Sequence, residues 1–257
     1  MLINAVLFSI NCLIWPPEPN ILKIMAKHFV SNKDESVPMF NQPFFDFFSR
    51  VHFTVPLFMY VPLVLYYLYQ AVFVHHLSIL YIIPLMILGV AVWTFTEYNM
   101  HRFVFHWTPP GPWGPKINFL FHGVHHDYPR DSMRLVMVPA ISLPLCVIFY
   151  YGFKFLLGPD NVTAFFPGFV IGYLFYDMIH FALHHANFKS KFWLELKQHH
   201  MVHHYSDHDN GFGVSSKFWD HVYRTTFKKK TGGPVVVEDS GLEIVQVKEP
   251  MAEVISE

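Results

Sequence analysis

The segment HGVHH at residues 122–126 returns as HMVHH at residues 200–204. In each, the histidines stand at i, i+3 and i+4, a spacing that gathers imidazoles on one face of a helix. His180 and His184, four apart, share this property, with Asp177 one turn earlier. His101 and His106, five apart, need a helix end or a bend to meet. Ten imidazoles brought together would bury polar nitrogens and repel one another on acidification unless metal ions drew them in. They divide as five per ion, which leaves a position open on each of two metals, whereas a closed structural zinc takes four ligands. Asp177 is expected to fix an imidazole tautomer from behind rather than to ligate. Imidazole alone does not choose among iron, zinc and copper. A hydrolytic zinc site would want a carboxylate base within the box, as in H-E-x-x-H, and none is present. An all-histidine set beside bilayer helices suits oxygen activation by non-haem iron on a lipid. His28, His52, His75, His76, His208 and His221 are read as hydrogen-bonded or interfacial residues, and His185 and His199 receive no role.

The elements that must position these residues read as membrane helices. Of 257 residues, 53% are hydrophobic and only 14% charged, which places the chain outside the ordinary soluble class. A formal net charge of −1 excludes the basic footprint of a nucleic-acid binder. No charged residue lies between Arg50 and Glu97, enough chain for two crossings of a core about 30 Å thick, with a turn near His75 and His76. Leu135 to Phe153 is uncharged, and Asn161 to Phe188 carries only Asp177; Lys154 to Asp160, with Gly158 and Pro159, turns between them. The fold class is therefore an all-α integral membrane protein of four transmembrane helices in two hairpins, with a cytosolic helical cap holding the histidines. Arg50, Arg102, Lys116, Arg130, Arg134, Lys189, Lys191 and Lys197 flank the spans on one side, and only Lys154 lies in the tight turns. The positive-inside rule makes both termini and the middle loop cytosolic.

Residues 1–43 form a weakly ordered or amphipathic lead-in, residues 44–227 the membrane-embedded catalytic domain, and residues 228–257 a disordered tail. The apolar opening lacks a basic n-region and a small-residue cleavage site, so a removed signal peptide is not expected. Cys12 and Cys146, both among apolar neighbours, are read as free thiols without a disulfide framework.

The segments TFTEYNMHRFVFH, FLFHGVHHDYPRDSMRLVMVPA, IGYLFYDMIHFALHHA, LKQHHMVHH and NGFGVSSKFWDHVY occur in this order. They resemble the successive signatures of the fatty acid 2-hydroxylases, in the fatty acid hydroxylase and sterol desaturase superfamily, and the likeness runs from about Phe44 to about Thr226. Residues between the histidines carry it too: the E-Y-x-x-H-R stretch, the R-L-V after the second box, and G-F-G-x-S-S-x-x-W-D. The resemblance implies an enzyme of the endoplasmic reticulum membrane, with a dimetal centre on its cytosolic face, that hydroxylates carbon 2 of long-chain fatty acids destined for sphingolipids. Carried over by position, the ligands are His101, His106, His122, His125, His126, His180, His184, His200, His203 and His204. Nothing in the first 44 residues resembles the haem-binding H-P-G-G motif of the cytochrome b5 domain that many members carry. Electrons for oxygen reduction are then expected from a separate cytochrome b5 and its reductase.

Carbon 2 adjoins the carboxyl group, so the lipid head must sit beside the metals while the chain descends between helices. Arg134, Tyr128 and Arg102 are the candidates to hold it. Two rivals share some of these features. A sterol or sphingoid oxidase or desaturase of the same superfamily would carry the same boxes. A histidine-lined metal transporter would place ligands near mid-membrane, where the spans hold almost none.

Overall fold

The computed structural model describes residues 29–227. The expectations for residues 1–28 and 228–257, with Cys12 and His28 among them, lie outside the described residues. Eight helices follow in order: α1 Pro43–Phe48, α2 Val55–Tyr69, α3 Ile79–Met100, α4 Gly114–Asn118, α5 Val124–Asp127, α6 Pro139–His185, α7 Lys191–Tyr205 and α8 Phe218–Val222. Three π-helical turns interrupt the regular spacing: Gln70–Val74 extends α2, His101–Phe105 extends α3, and Phe119–Gly123 joins α4 to α5.

Among the described residues, three helical segments are long and apolar enough to cross a membrane: Val55–Val74, Ile79–Phe105 and Pro139–His185. They begin where the sequence supplies starts: a proline in the first turn of α2 and of α6, and an extended Ser78 before α3. Phe58, Leu65, Leu80, Ile87, Phe155 and Leu156 stand exposed on these helices, as lipid-facing side chains do.

The longest segment is not straight. At about 1.5 Å per residue α6 would extend about 70 Å, yet the rings of Phe149 and Phe169 lie 5.0 Å apart and those of Phe153 and Phe165 4.7 Å apart. Pairs whose numbers rise and fall in opposite directions are the mark of an antiparallel hairpin. The reversal sits at Gly158, whose φ of 85° is the left-handed region glycine tolerates. A turn was expected over Lys154 to Asp160; it is confined to this one residue, because Pro159 can open a new helix at once without a backbone N–H to satisfy.

Both α2 and α3 lean on this hairpin. Tyr60 meets Tyr173, and Trp93 meets Phe169, Tyr173 and Tyr176. Between α3 and the second arm the backbones nearly touch. A Cβ on Gly168 would fall 2.0 Å from the Met86 carbonyl oxygen, and one on Gly89 2.3 Å from that of Phe165. Small residues at such crossings let helices in lipid gain dispersion contacts where no hydrophobic drive is available.

One end of the bundle is capped by α1, α4, α5, α7, α8 and the loops between them. Residues 29–42 run along this cap. The N–H groups of Val30 and Ser31 donate to the Asp127 carbonyl at 2.9 and 3.1 Å. Tyr205 donates to Asn32 at 2.7 Å, Ser132 N–H donates to Asp34 at 2.9 Å, and Met39 packs with Val124 and Tyr128. These anchors lie roughly a hundred or more residues away in the chain, so no local pattern announces them.

Candidate metal centre

His101 and His106 sit at the two ends of a π-turn. At 3.6 residues per turn, side chains five apart would point about 140° away from each other. Here the His106 N–H bonds the His101 carbonyl at 3.2 Å, five residues back, and the wider turn returns both rings to one side with Nε2 atoms 3.3 Å apart. The required bend is thus built into the helix rather than placed at its end.

The H-x-x-H-H boxes do something their spacing only half announces. Their i and i+4 members point within about 40° of each other, but the i+3 member lies about 100° from its neighbour. His122 and His126 consequently join His101, His106 and His203 in a first cluster, while His125 joins His180, His184, His200 and His204 in a second. In each group the potential ligand atoms lie within 4.8 Å of one another. The box on α7 is the mirror case, sending His200 and His204 to the second cluster and His203 to the first. All ten expected histidines are brought together, five and five, and all but His106 are buried.

The tautomers follow from what lies behind the rings. His101 Nδ1 is 2.6 Å from the Phe212 carbonyl, His203 Nδ1 2.7 Å from that of Asn210, and His180 Nδ1 3.1 Å from that of Leu135. A carbonyl can only accept, so each Nδ1 carries the proton and each Nε2 presents a lone pair inward. His106 Nε2 faces two such lone pairs, at 3.3 Å from His101 and 3.0 Å from His203, and one proton cannot serve both. Converging lone pairs of this kind fit a cation. Burial, and then the neighbouring imidazoles, hold His122, His125, His126, His200, His203 and His204 well below the ordinary histidine range, so they are neutral donors near pH 7.

The remaining candidates are placed differently from expectation. Asp177 is buried one turn before His180, near the Tyr173 hydroxyl and the Met137 amide, without a hydrogen bond of normal geometry. No imidazole bonds it; backbone carbonyls take the orienting role assigned to it, because the loops beyond the helix ends reach the back of the rings and Asp177 does not. Arg134 is buried and paired with Asp131 at 3.2 Å and Asp46 at 3.5 Å, with Ser49 at 3.4 Å. Its charge ties α1 to the cap instead of facing an open site, which corrects its reading as a lipid anchor. Tyr128 is buried against Met39 and Val124. Arg102 stays half-exposed, donating to the Tyr98 hydroxyl at 3.1 Å and lying over the Phe212 ring.

Of the other histidines, His52 bonds Thr54, His75 pairs with Asp160 and His221 bonds the Lys217 carbonyl. His208 instead lies 5.0 Å from His126, ring to ring, beside the first cluster. It stands four residues after His204, but α7 ends at Tyr205, so that spacing is not a helical one in the fold. Two carboxylates that the quoted motifs contain but to which no role was assigned, Glu97 and Asp220, are both buried beneath the loop that carries Asn210 and Phe212.

A cavity enclosing about 560 Å³, its mouth included, runs between α2, α3 and the α6 hairpin. Its walls include Phe149, Phe169 and Val170 at one end and Phe105, Met137 and Tyr176 at the other. Phe105 stacks on His122 and Tyr176 on His180, so the second end abuts one histidine of each cluster.

Fold and site together define a helical protein of membrane type with paired polyhistidine clusters suited to metal ions. The family model for fatty acid hydroxylase matches residues 86–225, more than half of the sequence, and the chain belongs to that family. It is 36% identical to the dihydroceramide fatty acyl 2-hydroxylase FAH1 of Arabidopsis thaliana, over 74% of this chain and 80% of the relative. It is 40% identical to the ceramide very long chain fatty acid hydroxylase scs7 of Schizosaccharomyces pombe, over 56% and 42%, and 40% identical to the fatty acid 2-hydroxylase of Mus musculus, over 56% and 39%. The match thus spans four fifths of the plant relative and about two fifths of the fission-yeast and mouse ones. A solved structure of full-length scs7p, in which only the hydroxylase domain is visible, superposes with a TM-score of 0.71 at 34% identity, covering 80% of this chain and 83% of that one.

Proposed function

We propose that the chain is a membrane oxygenase that hydroxylates carbon 2 of long-chain fatty acids or of the fatty acyl groups of sphingolipids. The observation that carries this reading is the junction of the two five-histidine clusters with an apolar cavity between membrane-type helices; the names of the relatives agree with it. His101, His106, His122, His126 and His203 would hold one metal ion, and His125, His180, His184, His200 and His204 the other. When bound, a pair of non-haem irons supplies reductive activation of O2 and oxygen insertion into an unactivated C–H bond; zinc can occupy the same donors without that chemistry.

The protein's own contribution is placement. The cavity takes the acyl chain, and its apolar walls exclude water. Phe105 and Tyr176 meet the chain where it reaches the clusters, which sets the carbons nearest the head beside them. Arg102, half-exposed next to His101, is the one of the three anchor candidates left to contact the head group. Each turnover consumes O2, two electrons and two protons, yielding the hydroxylated acyl group and water. The electrons come from a separate cytochrome b5 and its reductase. The arms of the α6 hairpin bring the membrane crossings to four, with residues 44–227 as the catalytic domain, the cap and both termini on the cytosolic side, and the endoplasmic reticulum as the site of action.

Expression in a host lacking 2-hydroxylated sphingolipids, followed by lipid mass spectrometry, tests this directly. Accumulation of 2-hydroxyacyl species is expected. A desaturated acyl product or an oxidised sterol in their place would transfer the chain to the rival chemistry of its superfamily.

A further inference from the structure

Between α7 and α8 the stretch NGFGVSS, residues 210–216, turns its backbone donors one way and two of its carbonyls the other. The N–H groups of four successive residues end on two buried carboxylates. Asp220 accepts from Phe212 N–H at 2.9 Å and from Gly213 N–H at 2.9 Å. Glu97 accepts from Val214 N–H at 2.9 Å, from Ser215 N–H at 2.8 Å and from the Ser215 hydroxyl. On the opposite side, the carbonyls of Phe212 and Asn210 accept the Nδ1 protons of His101 and His203. Gly213 is obligatory at this crossing, since a Cβ would fall 2.1 Å from the Ser216 carbonyl oxygen and 2.8 Å from Asp220.

The two carboxylates are themselves fixed. Glu97 lies on α3 one turn before His101, so the loop is tied to the helix that carries the imidazole it orients. Asp220 also takes His199 at 3.0 Å and the Thr225 hydroxyl at 2.8 Å, which links the loop to α7 beside His200. Tyr98 bonds Thr225 at 2.8 Å, and Arg102 donates to Tyr98, so Glu97, Tyr98, His101 and Arg102 all belong to one network. Burial acts to raise the Asp220 carboxyl, but the hydrogen bonds from His199, Thr225 and Gly213 together keep it below its ordinary value.

We infer that Glu97 and Asp220 are positioning residues of the first histidine cluster, holding the 210–216 loop so that its carbonyls aim the Nε2 lone pairs of His101 and His203 at a shared metal ion. The inference rests on the metal-centre reading above. It is selective, because only His180 of the second cluster leans on a backbone carbonyl, and that carbonyl, Leu135, belongs to a different segment. Loss of a partner behind a metal-ligating histidine lowers metal affinity about 10- to 100-fold.

The test uses the purified full-length chain in detergent, loaded with zinc, with metal content measured by elemental mass spectrometry and metal release to a chelator followed in time. Two ions per chain are expected for the wild type. In Glu97→Ala and Asp220→Ala one of the two should leave about 10- to 100-fold faster, and the other should keep its wild-type rate. Glu97→Gln, which retains an oxygen acceptor for Val214 and Ser215, should restore near-normal release, whereas Glu97→Met, of similar bulk but without that acceptor, should not. If the alanine variants fail to accumulate, Ser215→Ala and Thr225→Val each remove one bond to these carboxylates and should show the same selectivity at smaller size. Unchanged release of both ions, or equal acceleration of both, would overturn the inference. A wild-type chain that binds no metal would instead overturn the metal-centre reading.

Discussion

In the first cluster His101 and His203 lean on the carbonyls of one loop, His106 is half-exposed at the end of a π-turn, and His208 stands alongside. In the second cluster all five imidazoles are buried; of their Nδ1 atoms, those of His125, His184, His200 and His204 have no protein hydrogen-bond partner, and only His180 has one, the Leu135 carbonyl. The donor sets match while the means of support differ. Two members of the first set are oriented by hydrogen bonds from one loop, whereas four members of the second, like His126 of the first, rest on ring-to-ring packing. A donor count read from spacing therefore cannot say how firmly each ion is held.

The largest effects should come from adjacent residues on α7 that serve different clusters. His203→Ala and His204→Ala are each expected to reduce hydroxylation to background and to remove one metal ion per chain while the protein stays membrane-inserted. If the two clusters are distinct, the retained ion should give different spectra in the two variants after iron or cobalt loading. Identical spectra, or near-normal turnover in either variant, would dissolve the comparison.

Next in size is the shared scaffold. Gly168→Ala forces a Cβ against the Met86 backbone, and overpacking of this kind costs about 1–3 kcal/mol or more. Thermal unfolding in detergent should shift down, and both clusters should weaken together, unlike the selective loss expected from the loop. A one-sided metal loss here would mean that the clusters do not depend equally on the α3–α6 contact.

Acidification should act on both clusters more gently. The depressed histidines are neutral in the folded protein and titrate near pH 6.5 when unfolded. Unfolding therefore takes up protons below that pH, so their stabilising contribution is complete above about 6.5 and is lost progressively as pH falls toward the folded values. Metal retention measured from pH 8 to 5 should fall below about 6.5 only as the fold loosens, because burial keeps the folded ligands, His106 among them, far from protonation at that pH. Retention that improves on acidification would contradict the sign.

The smallest effect concerns the electron donor. Lys191 is almost fully exposed, with a long 3.9 Å contact to Glu195, whereas Lys197 donates to the Ala186 carbonyl at the end of α6. Lys191→Glu should lower the donor-limited rate a few-fold, and the wild-type rate should fall as salt rises, with cluster metal content unchanged. A rate indifferent to both would mean that the donor does not approach the face that carries Lys191.

The clustering of ten histidines and the long apolar helices were legible because helical spacing and charge-free runs are local signals. The split of each box was not, since i+3 and i+4 differ by one residue and only the facing helix decides which neighbour each ring meets. The π-turns at His101 and Phe119 break the 3.6-residue count on which such reading depends. Glu97 and Asp220 stand in recognisable motifs, but their role is not legible because their partners lie in the 210–216 loop and not at helical spacing. Arg134 was misjudged for the converse reason: its partners Asp46 and Asp131 are brought in by α1 and by the loop after α5. Residues 29–42 have low sequence contrast and acquire their order only from the cap they cross.

The contact of Gly89 and Gly168 has a mechanical side. Where two backbones touch there is no soft side chain to compress, so the wall between α3 and the second arm is stiff. The opposite wall, formed by α2 and the first arm, meets through larger and more adjustable groups, among them the Tyr60 and Ser142 hydroxyls at 2.8 Å. Compliance is thus confined to one seam, and a lipid leaving the bilayer sideways would part that seam while its counterpart acts as a fixed jamb. Joining positions 60 and 142 covalently should then slow substrate admission and leave metal content untouched.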